Sequence, residues 1–216
     1  MKDLIIIGAS GFGREVAWLA ERVNAKKPTW NLLGFIDDNN EIQGSIINGY
    51  KVLGNTECIA NYDGAYFVCA VGASKTREAI IKKIRNLKPD IKFATLIDPS
   101  AELSELVEIG EGTVICAHSV LTVNIRIGEH VIVNLDCTIG HDAVLKDYAT
   151  LYPSVNVSGA TVIGHGCELG TGMQIIQGKA VGDHSIVGAG AVVVKDIPDN
   201  CTAVGSPAKP IKFHNQ

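Results

Sequence analysis

The chain has 216 residues, of which 46% are hydrophobic and only 6% aromatic, and its formal net charge is −4 at pH 7. This charge offers no basic surface to a nucleic acid, and no apolar run approaches the ~20 residues of a membrane-spanning helix. The length suits one or two domains, and Met1-Lys2-Asp3 runs straight into an apolar segment, so we expect no signal peptide and a cytoplasmic protein.

The first hundred residues alternate between apolar strands and helical segments. The continuous apolar run at Leu4–Ile7 predicts a buried parallel strand. In chain order, the predicted elements are a strand at Leu4–Ile7, a helix at Arg14–Ala25, strands at Leu32–Ile36 and Tyr66–Val71, a helix at about Lys75–Leu87, and a strand at Phe93–Ile97. This alternation predicts an α/β, Rossmann-like domain over residues 1–97, with a small parallel sheet.

A glycine-rich loop, Gly8–Gly13, follows the first strand and opens the first helix, where backbone N–H groups favour an anion. Its spacing is G-x-x-G-x-G and not the G-x-G-x-x-G of dinucleotide-binding domains, so it predicts a phosphate contact better than a nicotinamide site. Asp37 and Asp38 follow the second strand, at the sheet edge where such domains bind a ribose or a base. A turn without a ligand is the alternative for both features.

A strict period of six begins after Pro99. Every sixth residue is Leu, Ile or Val at sixteen consecutive positions: Leu103, Ile109, Ile115, Leu121, Ile127, Val133, Ile139, Leu145, Leu151, Val157, Ile163, Leu169, Ile175, Val181, Val187 and Val193. Neither a helix nor a simple strand has this period. Hexads predict a parallel β-solenoid with three strands per coil, which gives about five stacked coils within residues 98–205 and leaves residues 206–216 as a tail.

The other hexad positions agree with a narrow prism. Glycine often follows the apolar anchor, as at Gly110, Gly128 and Gly140, and we expect it to permit a tight corner. The fifth position is usually small or β-branched, and the third and fourth positions are expected to face outward. The six cysteines form no C-x-x-C pair, so we expect small buried thiols in a reducing compartment and no zinc ribbon.

Four segments together resemble one family. They are Gly8–Gly13, Phe35–Asp38, Asn134–Asp142 and the tail Val204–Pro210. The chain is similar along its length to the bacterial sugar acetyltransferases of the hexapeptide-repeat superfamily, of the UDP-4-amino-sugar N-acetyltransferase and sialic acid O-acetyltransferase type. The resemblance implies a left-handed β-helix, acetyl-CoA as the donor, and a homotrimer with active sites between neighbouring solenoids.

The resemblance also implies the catalytic residues. His141 occupies a third hexad position and is expected to point outward, and it matches the family's general base, a role suited to histidine near neutral pH. Without the resemblance, a surface histidine at a turn would be the simpler interpretation. Asp142 matches the acidic neighbour of the base, although alternation along a strand leaves direct contact with His141 open. Asn134 matches an asparagine that faces the sugar.

Further residues are assigned to the two substrates by the same resemblance. Thr150 stands where the family usually has a second histidine near the thioester, and a hydroxyl there supplies a hydrogen bond without a charge. The positions that match the acetyl-CoA contacts are Thr150, Gly159, Thr171 and Ala189. The positions expected to hold the UDP part of the sugar nucleotide are Ser10, Gly11, Phe12, Asp37, Asp38 and Gly72.

The function expected from these assignments is N-acetylation of the 4-amino group of a UDP-linked amino sugar for cell-surface glycans. O-acetylation of sialic acid or another sugar and a non-catalytic nucleotide-sugar scaffold remain as alternatives. No metal is expected, because the six histidines are separated by 12, 11, 24, 19 and 30 residues, unlike the closely spaced ligands of a hexapeptide carbonic anhydrase. Apolar residues at outward positions, Val114, Val120, Val123 and Ile132, also favour a homotrimer.

Overall fold

A computed structural model describes residues 1–214 and begins with an α/β domain. Its elements are β1 (Lys2–Ile7), α1 (Gly11–Lys26), β2 (Trp30–Ile36), β3 (Ile46–Ile47), β4 (Tyr50–Gly54), β5 (Tyr66–Cys69), α2 (Ser74–Leu87) and β6 (Lys92–Phe93), with short 3-10 helices at Asn40–Ile42 and Thr56–Asn61. The sheet order is β3-β4-β2-β1-β5-β6, and only the β3–β4 pair is antiparallel. The Rossmann-like interpretation is confirmed, while β3, β4 and the 3-10 helices were not predicted.

The glycine-rich loop is shorter than the sequence indicates. Helix α1 begins at Gly11 and not at Arg14, so the turn after β1 comprises only residues 8–10. Gly13 therefore lies inside the helix, and a Cβ atom at this position would collide with the carbonyl oxygen of Gly8. This glycine allows close packing of the helix on the strand and is not part of a phosphate loop.

The strand predicted over 93–97 is wrong. Residues 92–93 form β6, which pairs with β5 in the first sheet, whereas β7 (Leu96–Ile97) pairs with a strand of the solenoid. The period of six therefore extends back one hexad to Ile97. Residues 94–95, which belong to no helix, strand or turn, carry the chain from one domain into the other.

The solenoid consists of two-residue strands, one in each hexad. After β7, they are β8 (Glu102–Leu103), β9 (Glu108–Ile109), β10 (Val114–Ile115), β11 (Val120–Leu121), β12 (Arg126–Ile127), β13 (Ile132–Val133), β14 (Thr138–Ile139), β15 (Val144–Leu145), β16 (Thr150–Leu151), β17 (Asn156–Val157), β18 (Val162–Ile163), β19 (Glu168–Leu169), β20 (Gln174–Ile175), β21 (Ala180–Val181), β22 (Ile186–Val187) and β23 (Val192–Val193). Then β24 (Cys201–Val204) extends one sheet, and β25 (Lys209–Phe213) pairs antiparallel to β24.

Three sheets form the faces of a triangular, left-handed parallel β-helix. The docking face contains β7, β10, β13, β16, β19, β22 and β24; the second face contains β8, β11, β14, β17, β20 and β23; the third face contains β9, β12, β15, β18 and β21. The second residue of each strand is the apolar anchor, and every anchor from Ile115 to Val193 is buried. The three faces hold about six coils, because the register begins at Ile97 and β24 continues the docking face.

The corners use a different hexad position from the one expected. Fourteen consecutive fourth positions, from Gly112 to Gly190, have left-handed backbone with φ between +53° and +73°. The glycines that follow the anchors have no such conformation. A Cβ atom at Gly140, Gly164 or Gly170 would instead lie 2.5–2.6 Å from a backbone nitrogen of the next coil. These glycines are required for close stacking of coils and not for the turn itself.

The α/β domain covers one face of the prism. The outward residues Leu96, Val114, Ile132 and Thr150 of the docking face are each no more than 1% exposed. Val114 joins the core of the α/β domain, in one cluster with Leu4. The use of Val114 and Ile132 as evidence for a trimer is therefore wrong, because the chain's own first domain buries them.

Arg77 of helix α2 holds the two domains together. Its guanidinium is 1% exposed and donates hydrogen bonds to six oxygen atoms: the carbonyls of Val71 (2.7 Å), Gly72 (2.9 Å), His130 (2.9 Å), Tyr148 (2.7 Å) and Ala149 (3.3 Å), and the Thr150 hydroxyl (2.8 Å). Burial lowers the pKa of Arg77 to about 10, so the group remains charged at neutral pH. A buried cation is retained here because its donors are matched to acceptors from both domains.

Two smaller polar contacts support the same junction. At the start of α2, the Ser74 N–H donates to Glu168 Oε1 (2.9 Å), and its hydroxyl donates to the Gly166 carbonyl (2.8 Å). On the other helix, Arg22 forms two hydrogen bonds, of 2.6 and 3.0 Å, with Asp98. Both helices of the α/β domain are therefore fixed to the solenoid.

Most of the cysteines are buried, as the sequence predicts. All six cysteines are free thiols within residues 1–214, and five of them are buried. Burial raises the pKa of Cys69, Cys116 and Cys167 to about 12, which keeps these thiols protonated. Over the same residues, no helix combines the length and apolar character that are needed to cross a bilayer.

Replacing Arg77 by Met should lower the free energy of unfolding by at least about 3 kcal/mol, because buried carbonyl groups then lose their donors. Urea denaturation followed by circular dichroism measures this loss. Arg85→Met is the matched control on the same helix, since Arg85 is partly exposed and pairs with Glu129 at 2.9 Å. The control should lose no more than about 1 kcal/mol. Equal stability of the two variants would contradict the role given to Arg77.

Candidate active site

His141 lies on an open corner of the solenoid, between the second and third faces. The corner joins β14 to β15, and the His141 side chain is 52% exposed. Its Nδ1 atom lies 2.8 Å from Asp142 Oδ2. The expected outward orientation of His141 is thus observed, and its ring faces solvent in the single chain.

The contact between His141 and Asp142 follows from the backbone of the corner. Asp142 has φ +59°, in the left-handed region, and both residues lie in a turn. The alternation of a strand, which left direct contact open, therefore does not apply. Asn124, one coil earlier, donates from Nδ2 to Asp142 Oδ1 (3.3 Å). Hydrogen bonds from His141 and then Asn124 hold the pKa of Asp142 below its usual value, so the carboxylate is ionised at neutral pH.

Gly159 lies against the imidazole ring of His141. It occupies the same corner one coil later, and the Ala160 N–H donates to the His141 carbonyl (2.7 Å). A Cβ atom at Gly159 would lie 2.5 Å from His141 Nε2. Any larger residue would displace the ring from its contact with Asp142. The structure therefore brings His141, Asp142 and Gly159 together.

A groove of about 520 Å³ lies beside this corner on the third face. Asp142, Asn124, Glu108 and Arg126 are among the residues that line it. Glu105 also lines the groove, which therefore contains three carboxylates and one guanidinium. Its charge suits a cationic or hydroxyl-rich molecule better than an anion.

The other positions assigned to acetyl-CoA are not at this corner. Thr171 and Ala189 are exposed and stack one coil apart at the corner between the docking and second faces. Asn134, 9% exposed, lies at the same corner; its Oδ1 accepts a hydrogen bond from the N–H of Leu135 (2.7 Å). Within one chain, these three residues are therefore on a different edge of the prism from His141.

The assignment of Thr150 to acetyl-CoA does not fit the structure. Its side chain belongs to the docking face, 1% exposed, beneath the α/β domain. The Thr150 hydroxyl donates to the Gly72 carbonyl (2.8 Å) and accepts from Arg77 (2.8 Å). Both hydrogen-bonding functions are used at the domain junction, so the residue has a structural role.

A second cavity, of about 150 Å³, lies at the carboxyl ends of β1 and β2. It is lined by Ile7, Gly8, Ile36, Asp37, Asp38, Thr56, Val71 and Ile80. Asp37 accepts hydrogen bonds from the N–H groups of Ala9 (2.8 Å) and Asn39 (2.9 Å). Asp38 accepts from the Thr56 N–H (2.7 Å) and lies 3.3 Å from Lys83 Nζ. Burial raises the pKa of Asp38, but hydrogen bonds from Thr56 and Lys83 outweigh it, and the net shift is downward.

The remaining residues assigned to the nucleotide surround the start of α1. Ser10 is the N-cap residue, but its side chain makes no capping hydrogen bond in the described chain, and Gly11 is exposed beside it. Phe12 is partly buried against the core. Gly72 lies at the domain junction, next to Val71 of the cavity lining, and its carbonyl is used by Arg77 and Thr150.

Three residues of these sites were missed by the sequence analysis. Asn124 is eighteen residues before Asp142, so stacking the predicted coils would have identified it. Thr56 and Lys83 contact Asp38 from a 3-10 helix and from α2. No local motif marks either residue, because their proximity to Asp38 arises only from the packing of the sheet.

The comparisons with known proteins cover both domains. The family model of the PglD N-terminal domain matches residues 3–84. Over 97% of this chain and 99% of the other, the structure is similar to the acetyltransferase domain of PglB from Neisseria gonorrhoeae FA1090 in complex with acetyl coenzyme A, with 34% identity and a TM-score of 0.88. This match includes both domains and their connection.

The names of two further relatives state a sugar substrate. A histidine-to-asparagine variant of perosamine N-acetyltransferase from Caulobacter crescentus, solved with CoA and GDP-perosamine, is 27% identical over 98% of each chain, with a TM-score of 0.87. The dTDP-3-amino-3,6-dideoxy-alpha-D-galactopyranose 3-N-acetyltransferase of Aneurinibacillus thermoaerophilus is 41% identical over 51 residues, 24% of this chain and 27% of its own. The chain spans between 21% and 55% of the length of the first curated relatives it matches.

Proposed function

Because the chain belongs to the hexapeptide-repeat family of bacterial sugar acetyltransferases, we propose that it transfers an acetyl group from acetyl-CoA to the amine of a nucleotide-linked amino sugar. The observation that carries this proposal is the pair formed by His141 and Asp142, with 2.8 Å between Nδ1 and Oδ2 on an exposed corner. It is a base and its orienting acid, placed where a large substrate has access.

The role of Asp142 follows from its ionisation. A carboxylate only accepts hydrogen bonds, so Nδ1 of the neutral imidazole donates to it and carries the proton. The lone pair is then on Nε2, which lies against Gly159, where no side chain covers it. Asn124 holds the other carboxylate oxygen. Nε2 is thus the nitrogen that we propose to accept a proton from the substrate.

The reaction proposed at this corner is a direct transfer. The sugar amine attacks the carbonyl carbon of the thioester, and His141 Nε2 accepts a proton from the amine as the N–C bond forms. The tetrahedral intermediate collapses with cleavage of the C–S bond. The proton passes from His141 to the departing thiolate, which leaves as CoA, and the acetamide of the sugar is the other product.

A homotrimer is proposed because one chain does not assemble the site. His141 and Gly159 are at one corner, whereas Thr171 and Ala189, proposed for acetyl-CoA, are at another. A neighbouring chain that places its docking–second corner beside His141 would bring them together. Val120 and Val123, 39% and 40% exposed, remain as apolar contacts on the uncovered side. Light scattering at micromolar concentration should give three chains, and the 22.9 kDa of one chain would refute this assembly.

The nucleotide part of the acceptor is proposed to bind at the cavity beside Asp37 and Asp38. Carboxylates at the ends of parallel strands suit hydrogen bonds to a ribose or a base, and the uncapped start of α1 beside Ser10 and Gly11 suits a diphosphate. We propose UDP as the nucleotide. The Caulobacter relative was solved with a GDP sugar, so the identity of the nucleobase is the point to test.

We also propose a cytoplasmic location, which the free thiols support because thiols stay reduced in that compartment.

Replacing His141 by Ala should lower kcat by roughly 10²–10⁴-fold, the usual contribution of a positioned base. Affinity for acetyl-CoA should change little, and the solenoid should stay folded because the side chain is outside the core. Steady-state kinetics of CoA release and calorimetry with CoA measure the two effects. His118→Ala, another exposed corner histidine, is the control. Activity of the His141 variant within threefold of the wild type would show that the amine reacts without this base.

Calorimetry should show binding of UDP or a UDP-sugar, and no binding of NAD. Asp38→Asn should weaken UDP binding by about 10-fold, as expected for loss of a hydrogen bond to a charged group. Asp63→Asn is a matched control, because Asp63 is also an exposed aspartate paired with a lysine, Lys88, near α2. Preference for GDP would change the proposed nucleobase from uracil to guanine. Binding of CMP-sialic acid alone would favour the sialic acid alternative. Binding of NAD alone would overturn the nucleotide-sugar assignment.

A further inference from the structure

A cluster of potential metal ligands lies on a corner that the proposed reaction does not use. This is the corner between the third and docking faces, along which helix α2 packs. Glu78 of α2, His165 and His184 each offer one ligand atom, and the three atoms lie within 4.8 Å of one another. Glu78 Oε1 is already 3.3 Å from His165 Nε2.

The residues of this cluster come from three separate parts of the fold. His165 and His184 follow β18 and β21 on successive coils, and their rings are 5.1 Å apart. The Tyr148 ring packs edge-on against His165 at 5.4 Å. Glu78 is on the opposite side, only 15% exposed, and faces the solenoid from α2. The cluster therefore bridges the two domains close to the junction formed by Ser74.

Two imidazoles and one carboxylate are a ligand set that suits a divalent ion of borderline softness, above all Zn²⁺. Zinc bound by three protein ligands keeps a fourth position for water or another ligand. A cavity of about 470 Å³ adjoins the cluster, and both Glu78 and His184 line it, together with Asn200 and His214. The cavity provides the room that a fourth ligand needs.

We propose that Glu78, His165 and His184 form a Zn²⁺ site that clamps helix α2 to the solenoid, with its fourth coordination position open to the cavity. Lys82 is the group that competes with the metal, because its Nζ lies 2.7 Å from Glu78 Oε1. The Lys82 side chain is 69% exposed, so it can leave without disturbing the core. The site is independent of the His141 corner and adds a stabilising ion to the domain junction.

The test is calorimetric titration of the untagged, full-length protein with Zn²⁺ after chelator treatment, with thermal denaturation as a second readout. The wild type should bind one Zn²⁺ per chain, and its melting temperature should rise with the metal. Glu78→Gln and His184→Asn should each weaken binding by about 10-fold or more, since even residues behind the ligands change affinity by that factor. Lys82→Met should leave binding intact or strengthen it.

His118→Asn is the matched control for His184→Asn. Both histidines are exposed, both lie at corners, and both have left-handed backbone, with φ +61° and +55°. The control should bind Zn²⁺ as the wild type does and show the same rise in melting temperature. Two results would overturn the proposal: no stoichiometric binding by the wild type, or equal affinity in His184→Asn and His118→Asn. If Glu78→Gln fails to fold, the Zn²⁺ affinity of His184→Asn relative to His118→Asn still tests the proposal.

Discussion

The relative position of the two domains depends on the packing of the α/β domain against one face of the solenoid. Arg77 lies at the centre of that contact. A guanidinium loses much of its hydration when it is buried, and this loss is offset here by six hydrogen bonds to oxygens of both domains. Most of the acceptors are backbone carbonyls. The geometry of Arg77 is therefore set by the fold of the chain on both sides and not by a single partner side chain.

The docked α/β domain determines which faces of the prism remain exposed to substrates and to other chains. It buries Val114, Ile132 and Thr150 on the docking face and leaves the second and third faces uncovered. The corner between those two faces carries His141 and Asp142. The proposed nucleotide cavity lies in the docked domain and the proposed base lies on the free corner, so a sugar nucleotide that reaches both has to extend across the surface of the assembly.

Tight stacking of coils is the second constraint, and close packing also shapes the corner at His141. Coils are so close that several positions accept only glycine, because any Cβ atom would meet backbone of the next coil. Gly159 is required for a different reason, because a Cβ atom at this position would meet the imidazole ring of His141 and not the backbone of another coil. The absence of a side chain at Gly159 therefore gives the proposed base its place.

The repeat, the α/β domain and the outward position of His141 could be predicted because they are local: they follow from a period of six, from strand–helix alternation and from one hexad position. The errors concern contacts between distant parts of the chain. Thr150, Val114 and Ile132 occupy outward hexad positions like their neighbours, and only the docked domain distinguishes them. The contact of Asp142 with His141 was left open because a turn was treated as a strand. The glycines after the anchors were explained by their dihedral angles, whereas close contact with the next coil is what requires them.

The open corner at His141 is proposed to transfer acetyl groups to a nucleotide-linked amino sugar. The most direct measurement is CoA release from acetyl-CoA by the purified wild-type protein, with a panel of UDP- and GDP-linked amino sugars and sialic acid as acceptors. We expect release that depends on the acceptor, with an N-acetylated nucleotide sugar as the product in mass spectrometry. Release with sialic acid alone would contradict amine transfer, and no release with any acceptor would contradict the proposed activity itself.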